Sequence, residues 1–159
     1  GMYARNRGAL VNISSLAAEF PIPYMSGYNM VKAGLSALSE SLMIEARGTK
    51  VIVLDFRPGD YRTDFNQAMQ RSAPEPTQKT HREIVEKRLS RTWITLEKNL
   101  KAGPPPAHAA NTLRDALLRG RSGVVRSGTF FQARLAPFLA RLAPSALRRT
   151  AQARYFGIS

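Results

Sequence analysis

The chain has 159 residues, enough for one domain with its own core, and a hydrophobic fraction of 43% and a charged fraction of 22% argue against wholesale disorder. The absence of cysteine excludes disulfides, thiolate metal sites and a cysteine nucleophile. No apolar run approaches the roughly 20 residues of a membrane span, and the N-terminus lacks the apolar core of a signal peptide, so we expect a cytoplasmic protein. His81 and His108 lack metal-ligand spacing, and we expect no metal site.

The formal net charge of +13 raises the hypothesis of an anionic partner, either a nucleic acid or a membrane surface. No acidic residue follows Asp115, whereas upstream of it acids and bases are mixed. The later arginines are Arg119, Arg121, Arg126, Arg134, Arg141, Arg148, Arg149 and Arg154. Because most of the excess charge lies in the C-terminal segment, we expect no nucleic-acid partner.

The first half of the chain predicts a strand, a helix and a second strand. Two short apolar runs, GALVNISS over residues 8–15 and KVIVLDFRPG over residues 50–59, are typical of buried strands. A loop rich in proline covers residues 17–27, and apolar residues then recur at helical spacing over residues 28–47, with Gly48 as a C-cap. Such a crossover connects neighbouring parallel strands.

The second half predicts further flanking helices and a third strand. Residues 60–80 are polar and contain prolines, which is typical of a surface loop. We expect helices over residues 81–100 and, entered through three prolines, over residues 102–120; a short strand follows at residues 122–128. The fold class is therefore α/β, a partial doubly wound Rossmann-type parallel sheet of about three strands.

The C-terminal segment, residues 129–159, is predicted to be a basic, partly helical extension of a domain over residues 1–128. Its apolar residues Leu135, Phe138, Leu139 and Leu142 fall on one helical face with arginines outside it. One interpretation is a helix that packs on its own domain; the alternative is a segment that lies on an anionic membrane surface. Prolines within the segment shorten any continuous helix and favour the first interpretation.

Ser15, Tyr28 and Lys32 are the candidate catalytic residues. Ser15 ends the first strand and the other two begin the following helix, so all three should lie at the carboxyl edge of the sheet, where α/β proteins bind ligands. The spacing of four residues puts Tyr28 and Lys32 on one helical face. An ammonium beside a phenol lowers its pKa, which makes a tyrosine able to exchange protons with an alcohol or a carbonyl.

The segments VNISS, YNMVK and RPGDYRT together resemble the second half of the short-chain dehydrogenase/reductase family. Ser15 precedes Tyr28 by 13 positions, the family's usual separation. The resemblance implies an NAD(P)-dependent oxidoreductase that interconverts a small-molecule alcohol and a carbonyl, with Tyr28 as general acid/base, Lys32 on the nicotinamide ribose and Ser15 orienting the substrate.

The resemblance also implies roles for the residues after the second strand and for two helices that would contact a partner chain. Pro58, Gly59, Tyr61 and Thr63 correspond to the loop that meets the nicotinamide end of NAD or NADP. Residues 60–101 correspond to the lid over the substrate. The helices over residues 28–47 and 106–119 correspond to the family's dimer faces, so a homo-oligomer is expected.

The sequence departs from the family in lacking the first strand, its glycine-rich phosphate-binding turn and the catalytic asparagine. We therefore expect the isolated chain to be a truncated, impaired enzyme with weak cofactor binding, and the sequence does not distinguish NAD from NADP. Two alternatives are a non-catalytic interaction module derived from this family and a basic membrane-surface binder that uses the C-terminal segment.

Overall fold

A computed structural model describes residues 1–64 and 82–158, so most of the predicted loop over residues 60–80, and His81, lie outside the described residues. The regular elements are, in chain order, strand β1 (Gly8–Ile13), a short 3-10 helix (Leu16–Ala18), helix α1 (Ser26–Glu45), strand β2 (Val51–Pro58), helix α2 (Arg82–Ala102), helix α3 (Pro106–Leu118), strand β3 (Gly123–Ser127), a π-helical turn (Phe131–Leu135), helix α4 (Ala136–Leu142) and helix α5 (Ser145–Tyr155).

The three strands form one parallel sheet in the order β1-β2-β3. Gly8 of β1 pairs with Val51 of β2, and Leu54 of β2 pairs with Gly123 of β3. The central strand is the most deeply buried because it has a neighbour on each side, and its Val53 and Leu54 are almost completely shielded from solvent. The predicted fold class, an α/β protein with a partial parallel sheet and flanking helices, is confirmed.

Helix α1 begins two residues before the predicted start and ends two residues before the predicted end. Its C-terminal exit is closed by Gly48, whose φ of 81° lies in the left-handed region that glycine adopts without strain. The amine of Lys32 donates a hydrogen bond of 2.9 Å to the carbonyl oxygen of Ile13, the last residue of β1. This bond joins the start of α1 to the carboxyl edge of the sheet.

The C-terminal segment is helical and packs on the α/β body. Phe156, just after α5, is buried in a cluster with Met25 and Leu96, which precede and follow the sheet's central strand in the chain. Pro137 lies in the first turn of α4, where its missing N–H is tolerated, and Pro144 precedes α5. None of the helices within residues 1–64 and 82–158 has the length and hydropathy needed to cross a bilayer.

Candidate active site

A cavity of about 780 Å³ lies at the carboxyl edge of the sheet. The segments after β1 and β2 form its floor, the start of α1 forms one side, and residues of α2 and the C-terminal helices form the opposite side. All seven residues predicted from the sequence line this one cavity: Ser15, Tyr28, Lys32, Pro58, Gly59, Tyr61 and Thr63. The structure therefore brings together residues that are separated by up to 48 positions in the chain.

Ser15 is held by its place at the start of the short 3-10 helix. Its backbone is extended, and its Oγ accepts a hydrogen bond of 3.0 Å from the amide of Ala17. A hydroxyl that accepts in this way still has its own proton to donate, and Ser15 is hydrogen-bonded to the phenol of Tyr28. The neighbouring Ser14 donates its hydroxyl to Asp55 instead. Ser15 is thus the serine available to a group beside Tyr28.

Lys32 lies over the ring of Tyr28, with Nζ 5.7 Å from the ring centroid. This distance is within the range of a cation–π contact. The bond from the same amine to Ile13 fixes its position at the edge of the sheet. Tyr28 and Lys32 are therefore neighbours on one face of α1, as their spacing predicted.

The pKa of Tyr28 is raised above its ordinary value, chiefly because burial disfavours the phenolate. The hydrogen bond from Ser15 lowers the pKa of Tyr28, and the charge of Asp60 raises it. This direction is opposite to the lowering expected beside an ammonium, because the loss of hydration outweighs the other effects. At neutral pH the phenol consequently keeps its proton.

Asp60, Asn99 and Gln132 form a polar cluster in the cavity that the sequence did not predict. Nε2 of Gln132 lies 2.6 Å from Oδ2 of Asp60, and Asn99 is hydrogen-bonded to the same carboxyl group. Burial raises the pKa of Asp60, and these two bonds lower it. Asp60 stands inside the RPGDYRT motif, where it could have been noticed, but the other two come from α2 and the π-helical turn and carry no local signal.

The loop after β2 is anchored by the side chain of Tyr61. Its hydroxyl is hydrogen-bonded to Oγ of Ser127 at 2.5 Å and to Nδ1 of His108 at 3.0 Å. Gly103 lets the chain after α2 approach the loop, because a Cβ there would lie 2.5 Å from the carbonyl oxygen of Asp60. The loop that carries Gly59 and Asp60 is therefore held against β3, α3 and the end of α2.

The loop that carries Ser15 is held by ion pairs. Glu19 contacts Nη1 of Arg57 at 2.5 Å and Nη2 of Arg126 at 2.7 Å. Arg57 also pairs through Nε with the buried carboxylate of Asp55 at 2.7 Å. These contacts fix the start of the loop to both β2 and β3. No group of metal-binding side chains occurs in the described part of the chain.

The rest of the cavity wall is mostly apolar, although Arg148, Gln152 and Tyr155 of α5 also line it. Its apolar part is formed by residues from α2, the π-helical turn and the C-terminal helices, namely Leu96, Leu100, Phe131, Ala136, Leu139, Ala140, Ala143, Leu147, Ala151 and Phe156. Ser15 and Asp60 are polar lining residues that act on Tyr28. Such a cavity suits a ligand with an apolar body and one polar group that reaches Tyr28.

The sequence model of the short chain dehydrogenase family matches residues 1–74. Among similar proteins, dehydrogenase/reductase SDR family member 4 of Bos taurus is 35% identical over 68 residues, which cover 43% of this chain and 24% of the relative. NADP-dependent 3-hydroxy acid dehydrogenase YdfG of Salmonella typhi is 39% identical over 59 residues, 37% of this chain and 24% of the relative. Very-long-chain 3-oxoacyl-CoA reductase of Mycosarcoma maydis is 30% identical over 109 residues, 69% of this chain and 31% of the relative.

These alignments span only about a quarter to a third of the length of the relatives. The matched residues include the strand, helix and strand that carry Ser15, Tyr28, Lys32 and Gly59. Sequence and fold agree on one assignment. Over residues 1–74 the chain has the sequence pattern of the short-chain dehydrogenase/reductase family.

Proposed function

We propose that this chain carries the catalytic end of an NAD(P)-dependent oxidoreductase that interconverts an alcohol and a carbonyl, with Tyr28 as the general acid/base. One observation carries the proposal: Ser15, Tyr28 and Lys32 line the same cavity as the loop of Pro58 and Gly59. The family match over residues 1–74 supports a dehydrogenase or reductase activity in general. Among the relatives, the NADP-dependent dehydrogenase of Salmonella typhi supports a nicotinamide cofactor.

Each of the three catalytic residues acts on the substrate oxygen or on the phenol. In the reductive direction the phenol of Tyr28 gives its proton to the carbonyl oxygen as the carbonyl carbon gains a hydride. The hydroxyl of Ser15 donates a hydrogen bond to the same oxygen and stabilises the negative charge that develops there. The ammonium of Lys32 stabilises the phenolate that proton transfer leaves on Tyr28. Oxidation of an alcohol reverses these steps.

The residues at this end of the cavity fit the nicotinamide part of a dinucleotide. A bound NAD(P) would supply or accept the hydride. Lys32 would donate to its ribose hydroxyls, and the backbone of Tyr61 together with Thr63, Pro58 and Gly59 would bound the nicotinamide. The Tyr61 hydroxyl is anchored on Ser127 and His108, and Tyr61 also lines the cavity.

The raised pKa of Tyr28 favours the acid role. With a pKa above its ordinary value, the phenol of Tyr28 is protonated at neutral pH and can give its proton to a carbonyl oxygen. The apolar wall further suggests a ketone or aldehyde with an aliphatic or aromatic body.

The test is turnover of this chain with reduced nicotinamide cofactor in large excess and a panel of aliphatic and aromatic carbonyls, followed by the loss of nicotinamide absorbance. We expect slow turnover that Tyr28→Phe abolishes, since only the hydroxyl is removed. Tyr24→Phe is the matched control, because Tyr24 is exposed and lies outside the cavity. Equal turnover by Tyr28→Phe and the parent chain would remove Tyr28 from the mechanism.

A second candidate function, a self-associating interaction module, is favoured by the outer face of α1. Met30, Val31, Leu38 and Ile44 are more than half exposed on this helix, which corresponds to a family dimer face. We propose that α1, together with residues 106–119, mediates homo-oligomer formation. Analytical ultracentrifugation of Val31→Asp with Leu38→Asp tests this, and a parent chain that sediments as a monomer at all concentrations contradicts it.

A further inference from the structure

Residues 130–142 present their large apolar side chains to solvent and their small ones to the body of the protein. Within the π-helical turn and α4, Ala136, Pro137 and Ala140 face inward, and Pro137 is buried. By contrast, Phe138 is 61% exposed and Leu142 is 73% exposed. A helix that only packs on its own domain buries its large apolar residues, so packing on the body does not account for this arrangement.

The exposed residues form a continuous stripe, here called the apolar face: Phe131, Leu135, Phe138 and Leu142, with Phe130 and Leu139 at its borders. The four central residues recur every three or four positions and so lie on one side of the helical segment. At a rise of 1.5 Å per residue the stripe is roughly 17 Å long. That length suits a helix lying along a surface.

Positive charge borders the apolar face. Arg134 and Arg141 lie three or four residues from Phe138, so they flank the stripe on the same side, and both are exposed. Arg148 and Arg149 follow on α5 and are exposed as well. No acidic residue occurs after Asp115 to neutralise them. A partner complementary to this surface must therefore be both apolar and negatively charged.

We propose that the apolar face and its flanking arginines bind the surface of an anionic lipid bilayer. The large apolar side chains would enter the boundary between headgroups and acyl chains, and the arginines would contact the anionic headgroups. Phe131, Leu139 and Leu147 are exposed and also line the cavity, so the apolar face continues into the cavity wall. If the proposed reductase function holds, an apolar substrate could enter directly from the bilayer.

The test is flotation of the 159-residue chain with vesicles of phosphatidylcholine alone and with vesicles of equal parts phosphatidylcholine and phosphatidylserine. We expect binding to the anionic vesicles only, weakened by added salt. Each arginine near such a surface contributes about fivefold in partitioning, so Arg134→Gln with Arg141→Gln should reduce binding by roughly 25-fold. Phe138→Ser with Leu142→Ser should reduce it by about tenfold or more.

Matched controls separate this surface from the general charge of the chain. Arg5→Gln with Arg7→Gln removes two exposed arginines elsewhere, and Ile84→Ser with Ile94→Ser removes two exposed apolar side chains elsewhere. Both controls should bind vesicles like the parent chain, and circular dichroism should show all variants folded. Vesicle binding does not require turnover, so its outcome is independent of the proposed enzymatic function.

Three outcomes overturn the proposal. The first is equal loss of binding in the face variants and the controls, which would mean that only bulk charge attracts the chain. The second is that the parent chain does not bind vesicles and is a dimer that Phe138→Ser with Leu142→Ser converts to a monomer. That result would assign the apolar face to a second copy of the chain. The third is that Arg134→Gln with Arg141→Gln weakens binding of the chain to RNA but leaves its binding to vesicles unchanged, which would assign the arginines to a nucleic acid.

Discussion

Nε of Arg57 lies 2.7 Å from Oδ2 of Asp55, and both side chains are shielded from solvent in the central strand β2. The carboxylate of Asp55 also accepts hydrogen bonds from Ser14 and from Ser36 of α1. Arg57 also forms an ion pair with Glu19 in the loop after β1. This pair thus joins the sheet, α1 and the loop that carries Ser15.

We predict that Arg57→Met destabilises the fold by about 3–5 kcal/mol, because it leaves the carboxylate of Asp55 buried without its counter-charge. The free energy of unfolding from urea denaturation measures the effect. Arg47→Met removes an exposed arginine and should change this free energy by less than about 0.5 kcal/mol. Similar values for the two variants would mean that the Arg57–Asp55 pair contributes little to stability.

We predict that Asp60→Asn and Ser15→Ala move the pKa of Tyr28 in opposite directions. The charge of Asp60 raises the pKa of Tyr28, so its removal should lower that pKa; the hydrogen bond from Ser15 lowers it, so Ser15→Ala should raise it. NMR titration of chain labelled at tyrosine Cζ measures both shifts, with Tyr28→Phe assigning the resonance. Shifts in the same direction would show that the two residues do not act on Tyr28 as the structure implies.

We predict that Asp60 makes stability depend on pH. Its pKa in the folded state is raised by burial, so the folded state holds this proton more tightly than the unfolded chain does. The resulting stability is fully present below the ordinary carboxyl pKa and is lost as the pH rises through the raised value. The free energy of unfolding of Asp60→Asn minus that of the parent chain should therefore be larger at neutral pH than in acid.

The measurement is urea unfolding of both chains at neutral pH and at a pH near the ordinary carboxyl pKa. Asp64→Asn is the control, because Asp64 is exposed and lies only four positions along the same loop. A difference between Asp60→Asn and the parent chain that stays constant with pH would contradict the prediction.

We predict opposite effects of alanine at two glycines. At Gly103 a Cβ would lie 2.5 Å from the carbonyl oxygen of Asp60, so Gly103→Ala should displace the loop and cost roughly 1–3 kcal/mol. At Gly34, inside α1, a Cβ meets nothing within 4 Å, and Gly34→Ala should stabilise by up to about 1 kcal/mol. Thermal unfolding compares them, and a stabilising Gly103→Ala would show that the approach at this loop is not close.

The local patterns of the sequence predicted the sheet and the helix that carries Tyr28, because buried parallel strands and amphipathic helices have distinct periods. The start of α1 was missed by two residues, since its N-cap, Met25, makes no side-chain capping bond that a pattern could reveal. Asn99 and Gln132 could not be predicted to meet Asp60. They come from elements 39 and 72 positions away, and only tertiary packing brings them to the cavity.

The C-terminal segment illustrates the same limit. Its helical spacing and its arginines are visible in the sequence, but the sequence favoured a helix whose large apolar side chains pack on its own domain. The exposure of Phe138 and Leu142 is a property of the assembled fold.

We predict that the chain binds reduced nicotinamide mononucleotide about as well as NADH, with both dissociation constants in the millimolar range or weaker. None of its 11 glycines falls in a G-x-G-x-x-G pattern, so these residues offer no glycine-rich turn to hold a pyrophosphate. The adenosine half of NADH then adds little affinity, because Lys32 would bind the nicotinamide ribose, which both ligands contain. Saturation-transfer NMR compares the two ligands.

Lys32→Met should weaken both ligands equally, and Lys50→Met, which removes an exposed lysine at the start of β2, should weaken neither. Micromolar affinity for NADH with much weaker binding of the mononucleotide would mean that the 159 residues hold the adenosine half by contacts outside the family's glycine-rich turn. Equal affinities that Lys32→Met leaves unchanged would instead place the nicotinamide away from Tyr28. Only joint loss of both ligands in Lys32→Met is consistent with a nicotinamide bound between α1 and the loop of Gly59.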